Sequence, residues 1–197
     1  MDAKTIDFYN KKSQIFVDET LEVEFKSCQD QFVGLLQPHA KILDFGCGSG
    51  RDTRYFLSLG FQVEAIDGAK ELCKIASKNT GIEVKNVLFQ EFCEIDKYDG
   101  IWACASLLHL EKAEIKKVIA SIAMALKTKG FLYMSFKYGD FHGMRHGRYF
   151  TDLKENTMQE LLDDVGQFFI VKQWISSDAR PNRSDEKWLN LIVQKKN

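Results

Sequence analysis

The sequence predicts an α/β protein, a mostly parallel sheet with helices on both faces. Three observations carry that reading. A short apolar strand, Lys41–Phe45, runs straight into a glycine-rich turn and then a helix. From there to residue 136, strand-length apolar runs alternate with helical patterns, as they do when helices connect parallel strands. In the last third, two strand patterns follow one another with only a polar loop between them, which makes that pair antiparallel.

Taken in order, residues Thr5 to Leu36 place apolar side chains at Phe8, Phe16, Leu21, Val23 and Phe25, then at Phe32, Val33, Leu35 and Leu36. That spacing predicts two or three helices before the first strand. The first strand is followed by a helix over Arg51–Leu59, ended by Gly60, and by a second strand, Phe61–Ile66, closed by Asp67. A helix over 69–78, strands over 82–89 and 98–103, a helix over 111–127 and a fifth strand over 130–136 continue the pattern. A helix over Asn156–Val165, a strand over Phe168–Ile175, a loop over Ser176–Glu186 and a strand over Trp188–Gln194 complete the chain.

The 197 residues suffice for one domain with a full sheet core. Apolar residues at 45% and charged residues at 28% give the balance of an ordinary globular protein. A net charge of −1 provides no overall field to attract DNA, RNA or an anionic membrane. The amino terminus lacks a signal-peptide pattern, and no apolar run is long enough to span a bilayer. Cysteines 28, 47, 73, 93 and 104 form no close pair, which predicts reduced thiols in a cytoplasmic protein and no metal site.

The chemistry concentrates in Asp44-Phe45-Gly46-Cys47-Gly48-Ser49-Gly50. A strand, a glycine turn, a helix and a second strand ending in a carboxylate form a nucleoside-binding unit. Glycine lets the backbone turn tightly with no Cβ in a ligand's way, and the helix start favours negative charge. Asp67 sits where a carboxylate can accept both hydroxyls of a ribose. A dinucleotide fingerprint would need glycine at position 51, which is Arg51. Asp44 ahead of the turn would repel a pyrophosphate and suits a ligand bearing an ammonium group.

An acidic residue followed by Gly-x-Gly-x-Gly resembles the first motif of class I S-adenosylmethionine-dependent methyltransferases. The run Gly46 to Leu57, with Gly50-Arg51 and Tyr55, is most similar to the tellurite-resistance-type branch of small methyltransferases. The resemblance covers residues 38–197 and implies a Rossmann-like seven-stranded sheet in the order 3-2-1-4-5-7-6, its last strand antiparallel. It implies S-adenosylmethionine as donor and S-adenosylhomocysteine as product. Donor contacts would fall on Asp44, Gly46, Cys47, Gly48, Asp67 and Gly68. At the third strand end, Glu91 would bond the adenine amino group and the Phe92 amide a ring nitrogen. Ala103 and Cys104 would pass the methionine portion, and Tyr9 resembles an amino-terminal aromatic that covers the donor. The single domain then divides into a helical cap (1–37), a donor-binding core (38–136) and an acceptor side of loops, helix and antiparallel strands (137–197).

Methyl transfer from a sulfonium chiefly requires an acceptor atom held in line. The glycine-, histidine- and arginine-rich loop over 137–150 is composed like a functional loop. His142, Arg145 and Arg148 are its candidates for positioning an acceptor, with Arg180 and Arg183 in the last loop as further clamps for an anion. His109 reads as a packed residue after the fourth strand. The favoured function is methyl transfer to a small anionic or soft nucleophilic acceptor, by a monomer or homodimer that binds neither DNA nor membrane. An enzyme acting on RNA or another macromolecule, and a donor-binding protein without catalysis, remain the alternatives.

Overall fold

A computed structural model describes residues 2–197. Three helices precede the sheet: α1 (Ala3–Lys11), α2 (Ser13–Thr20) and α3 (Lys26–Val33). The Asp2 side chain caps α1 by accepting from the amide of Thr5 at 3.2 Å, satisfying an otherwise orphaned donor. Strands β1 (Lys41–Phe45), β2 (Gln62–Asp67), β3 (Val84–Asn86), β4 (Tyr98–Ala103) and β5 (Leu126–Lys137) follow. They alternate with α4 (Arg51–Ser58), α5 (Lys70–Thr80) and α6 (Lys112–Ala125). A hairpin, β6 (His142–Arg145) and β7 (Arg148–Thr151), leads to α7 (Glu155–Val165), β8 (Phe168–Ser177) and β9 (Lys187–Lys195).

The main sheet has seven strands in the order β3-β2-β1-β4-β5-β9-β8. The five strands from β3 to β5 are parallel, and β9 is antiparallel to both of its neighbours. Counted within the sheet alone, this is the implied 3-2-1-4-5-7-6 order. Because side chains alternate across a strand, neighbouring residues enter different cores. Leu43, Ile101, Leu132 and Leu191 pack against α6 and α7, whereas Ile42, Trp102, Tyr133 and Ile192 pack against α3 and α4. Phe32 of α3 is wholly buried in the second core, so part of the expected cap is a structural helix beneath the sheet.

Three sequence expectations need correction. Helix α6 ends at Ala125 instead of 127, because the Asp96 and Lys97 amides take the carbonyls of Met124 and Ala125. Strand β3 is three residues long, since the chain turns after Asn86 into a 3-10 turn at Phe89–Glu91. The segment 137–150 is mostly strand: His146 (φ 50°) and Gly147 (φ 80°) supply two consecutive left-handed residues, the requirement of a tight hairpin turn.

Candidate active site

Strands β1 and β2 end side by side, and their ends are tied. The amides of Gly46 and Cys47 donate to the carbonyl of Ile66 at 2.9 and 3.0 Å. The Gly48 amide donates to Asp67 Oδ2 at 3.0 Å, and the Ala69 amide to Asp67 Oδ1 at 2.8 Å. A carboxylate has about four acceptor positions, so both oxygens keep a direction for a ligand. Burial raises the Asp67 pKa, and the amides of Ala69, Gly48 and Gly68 oppose that rise.

The cradle admits no side chain at two of its positions. A Cβ on Gly46 (φ +86°) would lie 2.5 Å from Ser106 Cβ, and one on Gly48 (φ +55°) would lie 2.9 Å from the Phe16 ring. Ser106 Oγ, beside Gly46, is buried and has no hydrogen-bond partner among the described residues, an arrangement that a bound ligand can relieve. The preceding residue, Ala105, has φ +50°, a strained conformation of the kind concentrated at ligand sites.

This cradle is the floor of a cavity of about 580 Å3, within the range of roughly 300–1,000 Å3 usual for small-molecule sites. Asp67 and the glycine turn lie at one end, Phe89 and Leu72 giving apolar walls. Beyond the turn, Arg51 donates to both oxygens of Asp52 at 2.7 and 2.9 Å and stacks on Phe25. Asp52 also accepts from Trp102 Nε1 at 2.8 Å and Gln29 Nε2 at 2.7 Å. Burial alone would raise Asp52; the Arg51 charge and these bonds hold it below the ordinary carboxylate value.

The other end of the cavity is cationic. Arg145 pairs with Asp152 at 2.6 Å and lies over the Phe141 ring. Arg180 grips Asp178 through Nε and Nη2 at 2.9 and 2.6 Å, and Trp188 Nε1 adds a bond to the same carboxylate. Lys137 pairs with Glu186, 3.6 Å from Asp178, with its ammonium over the Trp188 ring. Burial lowers Lys137 to about 8; Asp178 resists this, while Arg180, Arg183 and Arg145 assist it. Arg148 differs from these groups. Among the described residues no carboxylate pairs with it; Nη1 donates to Tyr9 Oη at 3.2 Å, and Nε is buried without an acceptor.

Tyr9 and His109 join the two ends. His109 Nδ1 lies 2.7 Å from the carbonyl of Tyr149, which can only accept, so Nδ1 carries the proton. Nε2 then holds a lone pair and accepts from Tyr9 Oη at 2.8 Å. Burial, aided by the Arg148 charge, lowers His109 to about 4, although the Tyr149 bond opposes this. Thr5, wholly buried in α1, accepts from the Tyr149 amide at 2.9 Å and so docks the hairpin onto the first helix.

Of the residues singled out in the sequence, Tyr9, Gly46, Cys47, Gly48, Asp67, Cys104, Arg145, Arg148, Arg180 and Arg183 line this cavity. The others stand elsewhere. Asp44 is buried beneath the turn, where it accepts from Thr53 Oγ1 at 2.6 Å. Burial, together with nearby Asp52, raises its pKa well above the usual carboxylate range, and the Thr53 bond ties β1 to α4. Gly68 and Ala103 lie behind the wall. Glu91 is exposed and is not among the residues lining the cavity, and the Phe92 amide donates to the Phe89 carbonyl at 3.4 Å. His142 alternates onto the outer face of its hairpin, opposite Arg145. Ser106, His109 and Lys137, by contrast, line the cavity without having been assigned a role there from the sequence.

Residues 42–130 match the methyltransferase domain family. Three uncharacterized methyltransferases of Schizosaccharomyces pombe are each 34% identical over 64 residues, 32% of this chain and 44% of theirs, so the match spans less than half of those relatives. Among solved structures, the 1,6-didemethyltoxoflavin-N1-methyltransferase of Burkholderia thailandensis, with bound 1,6-didemethyltoxoflavin and S-adenosylhomocysteine, is similar with a TM-score of 0.81. It is 22% identical, over 99% of this chain and 88% of that one. The magnesium protoporphyrin IX methyltransferase of Synechocystis PCC 6803, with bound S-adenosylmethionine, has a TM-score of 0.72 at 19% identity, over 99% and 98% of the two chains.

Proposed function

The chain has the class I S-adenosylmethionine-dependent methyltransferase fold with a methyltransferase domain over residues 42–130, and from that premise we propose that it transfers a methyl group to a small acceptor. The acceptor is anionic or softly nucleophilic, and Arg148 is its anchor. One observation carries this reading: a single cavity joins the Gly46–Gly48 cradle and Asp67 to an arginine with no carboxylate partner among the described residues.

The residues suit the donor. When bound, S-adenosylmethionine supplies an electrophilic methyl group on a sulfonium. Asp67 has acceptor positions left for two ribose hydroxyls, and Leu72 and Phe89 offer apolar surface to a base. Ser106 Oγ provides an unused polar contact beside the turn. Cys104 and Arg51, whose contact is 3.7 Å, border the passage toward the acceptor end.

The acceptor end recognises charge and limits size. Arg145 and Arg180 are committed to Asp152 and Asp178, which leaves Arg148 to meet an anionic group. Its guanidinium lies 4.7 Å from the Phe8 ring and 5.2 Å from Phe150, apolar surroundings in which a charge-assisted pair is strengthened. Helices α1 and α2, the hairpin and the β8–β9 loop border the cavity and favour a small molecule over a polymer. The 1,6-didemethyltoxoflavin bound by the Burkholderia protein is an acceptor of that size class.

Calorimetry with S-adenosylhomocysteine, followed by turnover over a panel of small acceptors, tests the reading. Binding and methylation of at least one small acceptor are expected. Absence of donor binding overturns the whole reading; donor binding with no methylation of any acceptor leaves the fold without the transferase function.

A further inference from the structure

The Tyr9–His109 pair is built like an acid–base relay. Its two members are 100 residues apart in sequence, on α1 and on the 3-10 turn Leu107–His109, and they meet on the cavity wall at 2.8 Å. The Tyr149 carbonyl fixes the tautomer, so Nε2 can only accept. The Tyr9 hydroxyl proton therefore points at Nε2, while Arg148 Nη1 donates to the same oxygen. A remaining lone-pair direction on Tyr9 Oη is available to the cavity, toward which the half-buried tyrosine is partly exposed.

We propose that Tyr9 is a catalytic residue which takes the proton of an N–H or O–H acceptor as its own proton passes to His109 Nε2. The inference rests on the methyltransferase reading and narrows it: the acceptor atom is a protonated nitrogen or oxygen, not a thiolate or a metalloid. The acceptor lone pair forms the bond to the methyl carbon, and the carbon–sulfur pair stays on sulfur. The N–H or O–H pair stays on the acceptor atom, its proton goes to Tyr9 Oη, and the hydroxyl proton goes to Nε2. His109 acts through Tyr9 and is a positioning and relay residue.

Charge accounting favours this route. Transfer removes the positive charge of the sulfonium, and protonation of His109 restores one positive charge in the same cavity. The imidazolium would have oxygen acceptors on both nitrogens, Tyr9 Oη and the Tyr149 carbonyl. The resting pair stays neutral: burial raises Tyr9, opposed mainly by Arg148, and burial lowers His109. The charged groups that bear on the pair are Arg148 from β7, Asp67 from β2 and Arg180 from the last loop. An anionic group of the acceptor on Arg148 would further favour the imidazolium.

The test uses the full chain with S-adenosylhomocysteine bound and its histidines labelled with 15N. His109 is expected as the Nδ1–H tautomer at pH 7; an Nε2–H tautomer or an imidazolium overturns the relay. Kinetics follow on phenol, uracil, 2-mercaptoethanol and selenite. The phenol or the N–H acceptor is expected to be methylated, with kcat falling toward pH 4 as Nε2 becomes occupied. Tyr9→Phe and His109→Asn should each lower kcat by about 100-fold, remove the acid limb and leave S-adenosylhomocysteine affinity unchanged. A Tyr9→Phe kcat close to that of the parent, or methylation confined to the thiol and selenite, overturns the relay alone. Loss of S-adenosylhomocysteine binding by the parent protein, or no turnover of any acceptor, overturns the methyltransferase reading with it.

Discussion

The carboxylate of Asp67, at the end of β2, accepts a hydrogen bond from the amide of Gly48 at 3.0 Å. The second strand thereby holds the glycine turn that follows the first. Asp67 has two tasks, shaping the cradle and meeting a ligand. Asp67→Ala is expected to weaken S-adenosylhomocysteine binding by tenfold or more, about 1.4 kcal/mol or above. Isothermal calorimetry on the folded variant measures this, and an unchanged affinity would remove Asp67 from the donor site.

Arg145 and Arg148 are three residues apart and should respond differently to truncation. Arg148 has no carboxylate partner among the described residues, so Arg148→Ala is expected to raise acceptor KM at least tenfold while donor affinity stays constant. Arg145 neutralises Asp152, whose side chain is 7% exposed. Arg145→Ala therefore lowers stability by about 1–3 kcal/mol through an uncompensated buried carboxylate. Melting curves beside initial rates separate the two effects, and an equal loss of donor affinity in both variants would count against the division.

Asp52 is the keystone under the cavity floor. Asp52→Ala strands the Arg51 charge and orphans the Trp102 and Gln29 donors. Breaking a buried ion pair in this way typically costs about 3–5 kcal/mol. Urea denaturation should show that loss; a midpoint shift equal to that of an exposed variant such as Lys11→Ala would mean that the pair is energetically idle.

Acid should act on stability through His109. Its folded pKa, lowered to about 4, lies below the value near 6.5 expected in an unfolded chain. Below pH 6.5 the unfolded state takes up a proton that the native imidazole refuses, so stability falls as pH drops from 6.5 to 4. The full difference is about 3 kcal/mol. Urea midpoints across this range should show a smaller slope for His109→Asn than for the parent, and parallel slopes would dismiss the assignment.

The alternation of strand and helix was readable because each element is encoded locally. Glycine at the turn, apolar strands and the absence of a helix before Trp188 suffice for the sheet. The cavity floor was readable because Gly46, Gly48 and Asp67 belong to one strand–turn–helix–strand unit, and Arg145 and Arg148 stood out by the composition of their segment. The acid–base pair of the cavity was not, because Tyr9 and His109 meet only after the four strands between them in the chain have assembled. The surroundings of Asp44 were hidden for a related reason: the hydroxyl of Thr53, in the first turn of α4, reaches its carboxylate only in the fold. The hairpin was disguised by its composition, since glycines and charges suggest a loop, yet His146-Gly147 is a tight turn between paired strands.

Two of the three tryptophans end up where they can be useful as built-in optical probes. Trp102 is wholly buried, stacked on Tyr133 at 3.8 Å, and its indole N–H is bonded to the carboxylate that holds Arg51. Trp188, at the opposite end, bonds Asp178 and lies beneath the Lys137 ammonium. Each indole is one contact from a charged wall of the same chamber, so its emission senses the local field at that end. Loading at the turn end will register at Trp102, and loading at the cationic end at Trp188. Single-tryptophan versions of the protein would then resolve the order in which the two ends fill, with no label attached.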